Sequence, residues 1–257
     1  MTSSSTKKYY FASDFHFGIP DRLASKERED LFIAWLKEIK DDAAAIFLMG
    51  DLFDFWFEYR TVVPKGYVRL LSALEEMTRA GIPVHLFRGN HDIWAFDYLT
   101  EEVGIQLHRK PEIMQLFHTT FYLAHGDGLG PGDHGYKLLR RVFECRLCQW
   151  LFRWLHPDLG TRLGLYFSRR SRLANITREG RKDAATRPQD EMLVHYARGI
   201  ASAYPDVQYF VFGHRHTPFI HPVNDNASVV LLGDWLTHYS YLSFDGDQVR
   251  QHYYKPQ

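Results

Sequence analysis

The stretch Ala45-Ile-Phe-Leu-Met-Gly50-Asp51-Leu-Phe-Asp54 decides the fold of this chain. From Ala45 to Gly50 it carries no charge, the pattern of a strand covered on both faces. It then stops abruptly on a glycine and two carboxylates. The same design recurs on either side. Upstream, Lys8-Tyr-Tyr-Phe-Ala-Ser-Asp14 is a short β-like run that ends in Ser13-Asp14-Phe15-His16. Downstream, Val84-His-Leu-Phe87 is followed by Gly89-Asn90-His91-Asp92. Between these runs the apolar spacing turns helical. Arg28 to Ile39 places Leu31, Phe32, Trp35, Leu36 and Ile39 on one face, and Tyr67 to Ala80 does so with Leu70, Leu71, Leu74 and Met77 before Gly81-Ile-Pro breaks it. Strand, helix, strand in that order predicts a mostly parallel sheet with right-handed crossovers.

Further along, the pattern becomes β-rich: Ile113–Leu116, Thr120–Ala124, Val207–Phe212, Pro218–His221, Ser228–Leu232, Tyr239–Phe244 and Gln248–Tyr254, with a helix over Glu191–Ala203. The whole predicts an α/β, four-layer α+β architecture: two mixed β-sheets packed face to face, with helices outside. Two more polar clusters follow apolar runs, His125-Gly126-Asp127 and Gly213-His214-Arg215-His216. Ligands gather outside the carboxyl ends of strands in open α/β sheets, so the five clusters are expected to converge. One such cluster would be ordinary turn chemistry, because Asp and Asn favour turns by themselves. Five in succession, each after an apolar run, point to a site.

Carboxylate, imidazole and amide oxygen together suit manganese, iron or zinc, and suit magnesium less well. No thiolate joins the set, which argues against a structural zinc site. A carboxylate such as Asp51 can bridge two cations about 3.5–4 Å apart, the spacing that clamps an in-line displacement at phosphorus.

Composition narrows the class. The 257 residues carry 31 Lys+Arg and 31 Asp+Glu, which excludes a globally basic nucleic-acid binder and an acidic disordered chain. Two cysteines are too few for a disulfide framework and lean towards a reducing compartment. The polar start, Met1 to Lys8, lacks the apolar core of a signal peptide, and no window is long and apolar enough to span a bilayer; a cytoplasmic address is expected. Charge is uneven, however. Residues 133–187 hold 13 Lys/Arg against five Asp/Glu and no obvious strand. They read as a helical cap inserted into a single domain of residues 1–257. One helix is expected over Tyr136–Leu155, stopped by Pro157, and a second from about Thr161 to Ala174.

The first cap helix carries an apolar stripe of Leu138, Leu139, Val142, Phe143, Leu147, Trp150, Leu151 and Trp154, with arginines on the other faces. Such a helix can lie on an anionic membrane, roof an acyl-chain groove, or bury its stripe on the main domain. On pattern alone burial is favoured, since most amphipathic helices hide one face.

Taken in order, D-x-H, G-D-x-x-D, G-N-H-D, H-G-D and G-H-x-H resemble the calcineurin-like metallophosphoesterase superfamily over residues 8 to 254. The resemblance implies two divalent cations. Asp14, His16 and His216 would bind the first, Asn90, His125 and His214 the second, and Asp51 would bridge them. A bridging water or hydroxide would attack phosphorus in line, and His91 would protonate or stabilise the leaving oxygen. Asp54 and Asp92 would orient histidines from behind. With the cap and its lead-in, His125-Gly-Asp-Gly-Leu-Gly-Pro-Gly-Asp133-His-Gly-Tyr136, the chain is most similar to the UDP-2,3-diacylglucosamine diphosphatase family of lipid A biosynthesis. That resemblance implies a manganese-preferring pyrophosphatase that releases UMP and 2,3-diacylglucosamine 1-phosphate, with a lipid groove under the cap. The substrate would be a lipid-linked nucleotide sugar met peripherally at the cytoplasmic face of the inner membrane, with no nucleic-acid partner. Asp133 and Tyr136 would contact substrate, as would Arg169, Ser171 and Asn175 on the cap. Characterised members carry Arg where this chain has His91, and Arg grips phosphate in a bidentate way that His does not. A general dimetal phosphodiesterase or nucleotide pyrophosphatase is the alternative reading.

Other features read as ordinary. Cys145-x-x-Cys148 lies inside the cap stripe with no partner pair, so plain thiols are expected. Asp234, Trp235 and His238 fit turn and core roles at least as well as a reach into the site. Trp56 is the tryptophan placed to touch substrate.

Overall fold

The computed structural model describes residues 7–130, 134–179 and 188–255, with side chains for all of these except 171–179. Strands β1 (Lys8–Ala12), β2 (Ala43–Leu48) and β3 (Val84–Phe87) lie parallel. Helices α1 (Arg22–Ile39) and α2 (Val68–Arg79) return the chain between them. Helix α1 starts six residues before its apolar period does. Asp21 caps it, accepting from the Leu23 and Ala24 amides at 2.8 and 3.0 Å. Its first turns bury Ser25, Arg28 and Glu29 instead of apolar side chains, and the Arg28 guanidinium donates to the His16 carbonyl at 3.1 Å.

The first sheet is completed by β4 (Gln106–His108), β10 (Ser240–Phe244) and β11 (Val249–Tyr253), in the order β11-β10-β1-β2-β3-β4. The short β4, and the single turn α3 (Tyr98–Glu101) before it, leave too few residues for a readable period. The second sheet runs β5-β6-β7-β9-β8, built from β5 (Glu112–Leu116), β6 (Thr119–Ala124), β7 (Val207–Phe212), β8 (Phe219–Pro222) and β9 (Ser228–Leu231). Strands β6, β7 and β9 are parallel, so both sheets send several carboxyl ends to one edge of the molecule.

Between the sheets lies a core that includes Phe11, Phe47, Met49, Phe121, Leu123, Val211, Val230 and Leu242. Phe11 stacks between Phe47 and Phe121, at centroid distances of 4.7 and 5.7 Å. Each such buried ring contributes about 1.5–3 kcal/mol relative to exposure. Outside the first sheet, α1 and α2 bury Phe32, Trp35, Leu70 and Leu74. Outside the second, α7 (Met192–Ile200) buries Leu193, Val194 and Ala197. The four layers are therefore helix, sheet, sheet, helix.

The cap comprises α4 (His134–Glu144), α5 (Arg146–Arg153) and α6 (Pro157–Glu179); both ends of the expected insert fall partly outside the described residues. The single helix expected over 136–155 is broken at Cys145, whose backbone is extended (ψ 118°). The cause is local. The Phe143 carbonyl accepts from Trp94 Nε1 and from Gln149 Nε2, each at 2.8 Å. The expectation that the stripe is buried is also corrected. Neither α4 nor α5 has a fully buried residue, and Leu138, Leu147 and Trp154 are 63%, 63% and 75% exposed. α4 and α5 touch the main domain through Phe143 and Phe152, which meet Trp94 and Phe57, and leave the rest of the stripe open. Cys145 and Cys148 are free thiols.

Candidate metal centre

The five strand-end clusters meet at one point. Asp14, His16 and His216 offer ligand atoms within 4.8 Å of one another, as do Asp51, His125 and His214. His16, Asp51 and His91 form a third such group that joins the first two. Asp51 Oδ2 stands 3.7 Å from His16 Nε2, 3.5 Å from His125 Nε2 and 3.9 Å from His91 Nε2. Asp14 Oδ1 stands 3.8 Å from His16 Nε2 and 3.7 Å from His216 Nε2. These gaps exceed a hydrogen bond. They suit atoms that share a cation at bond lengths of about 2.0–2.2 Å.

The local backbone is built for this convergence. Among the described residues, seven non-glycine residues have positive φ, and four are Asp14 (57°), His16 (46°), Asp51 (52°) and His214 (63°). A left-handed backbone costs of order 1–3 kcal/mol per residue and persists where the surroundings enforce it. Gly89 is required by close approach, because a Cβ there would lie 2.1 Å from Asp51 Oδ1.

Polar atoms at the centre are left without partners. Asp14 Oδ1, His16 Nε2, Asn90 Oδ1 and His125 Nε2 are buried with no hydrogen bond among the described residues. Each such orphan costs about 1–3 kcal/mol unless something satisfies it. The donor set of carboxylate, imidazole and amide oxygen fits divalent cations.

Behind the inner atoms, partners fix orientation. His125 Nδ1 lies 2.7 Å from the Met49 carbonyl, which directs Nε2 inward. The other Asp14 oxygen accepts from Ser13 Oγ at 2.5 Å and the His214 amide at 2.8 Å. Asp54 Oδ1 sits 3.5 Å from His16 Nδ1. Asp92 differs from its expected histidine-orienting role. Its two oxygens accept from the Gly89 amide (2.6 Å) and the Leu52 amide (2.8 Å), so it ties the third cluster to the second through backbone.

Asp234, for which the sequence fitted a turn or core role at least as well as a reach into the site, does reach it. It follows β9, as the ligands follow their strands, and its Oδ2 lies 3.1 Å from His216 Nδ1. Oδ1 accepts from the amides of Leu236, Thr237 and His238. Its pKa falls to about 2: burial alone would raise it, and the His216 hydrogen bond and these amides outweigh burial.

Charges at the centre are interdependent. Burial pulls the His125 imidazole down, but the Asp51 carboxylate beside it wins and lifts it well above the usual range. Burial pushes Asp51 up, and His125, His91 and His16 together hold it well below the ordinary carboxylate value. His214 is depressed to about 4 by burial and then by the His125 charge. Burial likewise lowers His16.

His91 lies on the cap side. Its amide donates to Asp51 Oδ1 at 2.9 Å, and its Nδ1 is 2.9 Å from the Asp54 carbonyl and 3.1 Å from Ser168 Oγ. Ser168, on α6, also donates to Asp54 Oδ2 at 2.8 Å. The cap thus reaches the centre through Ser168. Arg169, one residue on, is turned about 100° around the helix. It is exposed, with Nη2 3.3 Å from the Pro20 carbonyl, and does not line the cavity. Asp133 lies outside the described residues, as do the side chains of Ser171 and Asn175.

Between the cap and the centre is a cavity of about 370 Å³, lined by Asn90, His91, Phe55, Trp94, Tyr136, Leu139, Val142, Phe143, Phe152, Leu163, Phe167 and Ser168. Polar at the Asn90–His91 end, it is otherwise apolar and aromatic. Tyr136 contributes its ring, while its hydroxyl donates to Asp127 Oδ2. Trp56 is wholly buried, stacks on Phe53 at 4.2 Å and donates to Glu58; Trp94 takes the place expected of it at the cavity.

A family model of calcineurin-like phosphoesterases matches residues 7–218. A UDP-2,3-diacylglucosamine hydrolase of Porphyromonas gingivalis is 36% identical over 250 residues, covering 93% of this chain and 94% of that protein. One from Neisseria gonorrhoeae is 30% identical, again covering 93% and 94%. The matched span takes in all five strand-end clusters, and the chain belongs to the calcineurin-like phosphoesterase family.

Proposed function

We propose that the protein hydrolyses the pyrophosphate of UDP-2,3-diacylglucosamine, releasing UMP and 2,3-diacylglucosamine 1-phosphate. The observation that carries this reading is the apolar cavity opening directly onto His91 and Asn90. Acyl chains have a place to go, and the bond to be cut is then held against the ligand cluster. The similarity to the named hydrolases over nearly the whole chain supports the same reading.

Asp14, His16 and His216 would hold one divalent cation and Asn90, His125 and His214 another, with Asp51 between them. Two such ions, manganese in this proposal, supply Lewis acidity and a water acidic enough to attack at neutral pH. The chain's own residues do the rest. Contact of His91 Nδ1 with the Asp54 carbonyl and Ser168 aims Nε2 at the cleft. In its protonated form that nitrogen would donate to the leaving oxygen. Tyr136 and the cap rings exclude water from the lipid side.

The cap's outer rim supports a membrane address at the cytoplasmic face of the inner membrane. Leu147, Trp150, Leu151 and Trp154 are exposed beside the exposed Arg141, Arg146 and Arg153, the composition of an interfacial helix. No helix among the described residues is long and apolar enough to cross a membrane.

The test is UMP release from UDP-2,3-diacylglucosamine with manganese, beside UDP-N-acetylglucosamine. Selective cleavage of the lipid substrate is expected. Equal cleavage of both would move the protein to a general nucleotide pyrophosphatase.

A further inference from the structure

A second cavity, of about 110 Å³, lies beside α4, separate from the apolar one. It too forms at strand carboxyl ends: Arg88 follows β3, Arg109 and Lys110 follow β4, and His125 follows β6. Arg140 of α4 closes it. Four cations and one carboxylate, Asp127, line it in a chain whose overall charge is zero. Tyr136, Leu139 and Phe143 line the apolar cavity, while Arg140, one turn after Tyr136, reaches past it into the second cavity, and Tyr136 and Arg140 both hydrogen-bond Asp127.

The basic group is not neutralised from within. Arg88 Nη1 donates to the Ile93 carbonyl at 2.7 Å, but its Nε is buried with no acceptor among the described residues. Arg109 donates to the Phe96 carbonyl at 2.8 Å. Arg140 is the paired member, 3.0 Å from Asp127 Oδ2 and 3.1 Å from Glu144. A guanidinium held near others of its kind, with an unused N–H, is a site waiting for an anion.

We infer that this pocket takes up the phosphate of the nucleoside monophosphate once cleavage has released it. The inference rests on the proposed function for the identity of the nucleotide. It places the released phosphate beside Arg88 and Arg109, apart from the lipid against Leu139 and Phe143, with His125 forming a wall shared with the ligand cluster. The pocket's size admits a phosphate and not an acyl chain.

The experiment titrates UMP, uridine and inorganic phosphate into full-length protein stripped of metal with a chelator, by calorimetry. The wild type is compared with the double variant Arg109→Ala/Lys110→Ala, which alters two loop side chains, and with Arg88→Gln as a second probe of the pocket. UMP should bind the stripped protein, phosphate should compete with it, and uridine should bind far more weakly. The double variant should bind UMP about tenfold more weakly, the scale of losing two charge contacts to a phosphate. UMP that binds only metal-loaded protein, or equally to wild type and double variant, overturns the inference. So does uridine binding as tightly as UMP. The two readings fail separately: acyl-dependent cleavage with UMP affinity indifferent to the variants removes the pocket and keeps the activity. Binding of UMP in the pocket without lipid cleavage does the reverse.

Discussion

Gly164 sets how closely the cap sits on the domain. A Cβ at this position would lie 2.1, 2.3 and 2.4 Å from three atoms of the Phe55 ring, so α6 rests directly on that ring. Ordinary van der Waals contact begins near 3.4 Å, so Gly164→Ala requires a displacement of about 1.3 Å. Either α6 lifts or Phe55 swings into the cavity it lines. Overpacking of this kind costs about 1–3 kcal/mol. Against it, alanine improves the helix by up to ~1 kcal/mol. The net loss is ~0–2 kcal/mol, a fall in Tm of up to roughly 8 °C for a chain of this size. Function should suffer more than stability. The lift moves Ser168 away from His91 and reshapes the lipid cavity, and misplacement by about 1 Å can cost up to 100-fold in rate. The assay compares kcat/KM for the lipid substrate with that for bis(p-nitrophenyl) phosphate, whose leaving group needs no proton. A loss of about tenfold or more on the lipid is expected, with the diester within about twofold, because its path does not use the cap. A variant that melts higher than the wild type and keeps full lipid turnover would refute the close docking of α6.

Three further outcomes follow from the same geometry. Asp234→Asn weakens the orientation of His216, so chelator competition should show the Asp14–His16–His216 site losing about 10–100-fold in metal affinity while the second site holds. His125 is held protonated by Asp51 near neutral pH, and a metal can bind Nε2 only after that proton leaves. Metal affinity should therefore rise with pH, with about one proton released per chain; calorimetry in buffers of different ionisation heat would contradict this by finding none. Trp150→Glu with Trp154→Glu should release the protein from sedimenting anionic phospholipid vesicles while leaving bis(p-nitrophenyl) phosphate turnover intact, and unchanged sedimentation would remove the rim from the membrane contact.

How much of this was legible in the sequence depended on range. The strands β1 to β3 and their ligand loops could be read because each apolar run is buried on both faces and ends in residues whose chemistry differs sharply from the run. β4 could not, since Gln106–His108 is shorter than any period. The break at Cys145 comes from Trp94, which is distant in sequence and captures the Phe143 carbonyl. Asp234 carried a usable signal, its place directly after β9, but its neighbours also make it a plausible turn residue. Ser168 carried none. Its contact with His91 is made across the fold by α6, and the family resemblance pointed to Arg169, one residue on, instead. The stripe on α4 and α5 was read correctly as amphipathic; what pattern alone could not say is that its apolar face roofs a cavity and a rim instead of a core.

Counting metal tests whether two cations share Asp51. Wild-type protein loaded with manganese and desalted should carry two ions per chain by mass spectrometry, and Asp51→Ala should carry none and show no hydrolysis. A variant that retains either ion, or cleaves the lipid substrate at the wild-type rate, would contradict the bridging role on which the account depends.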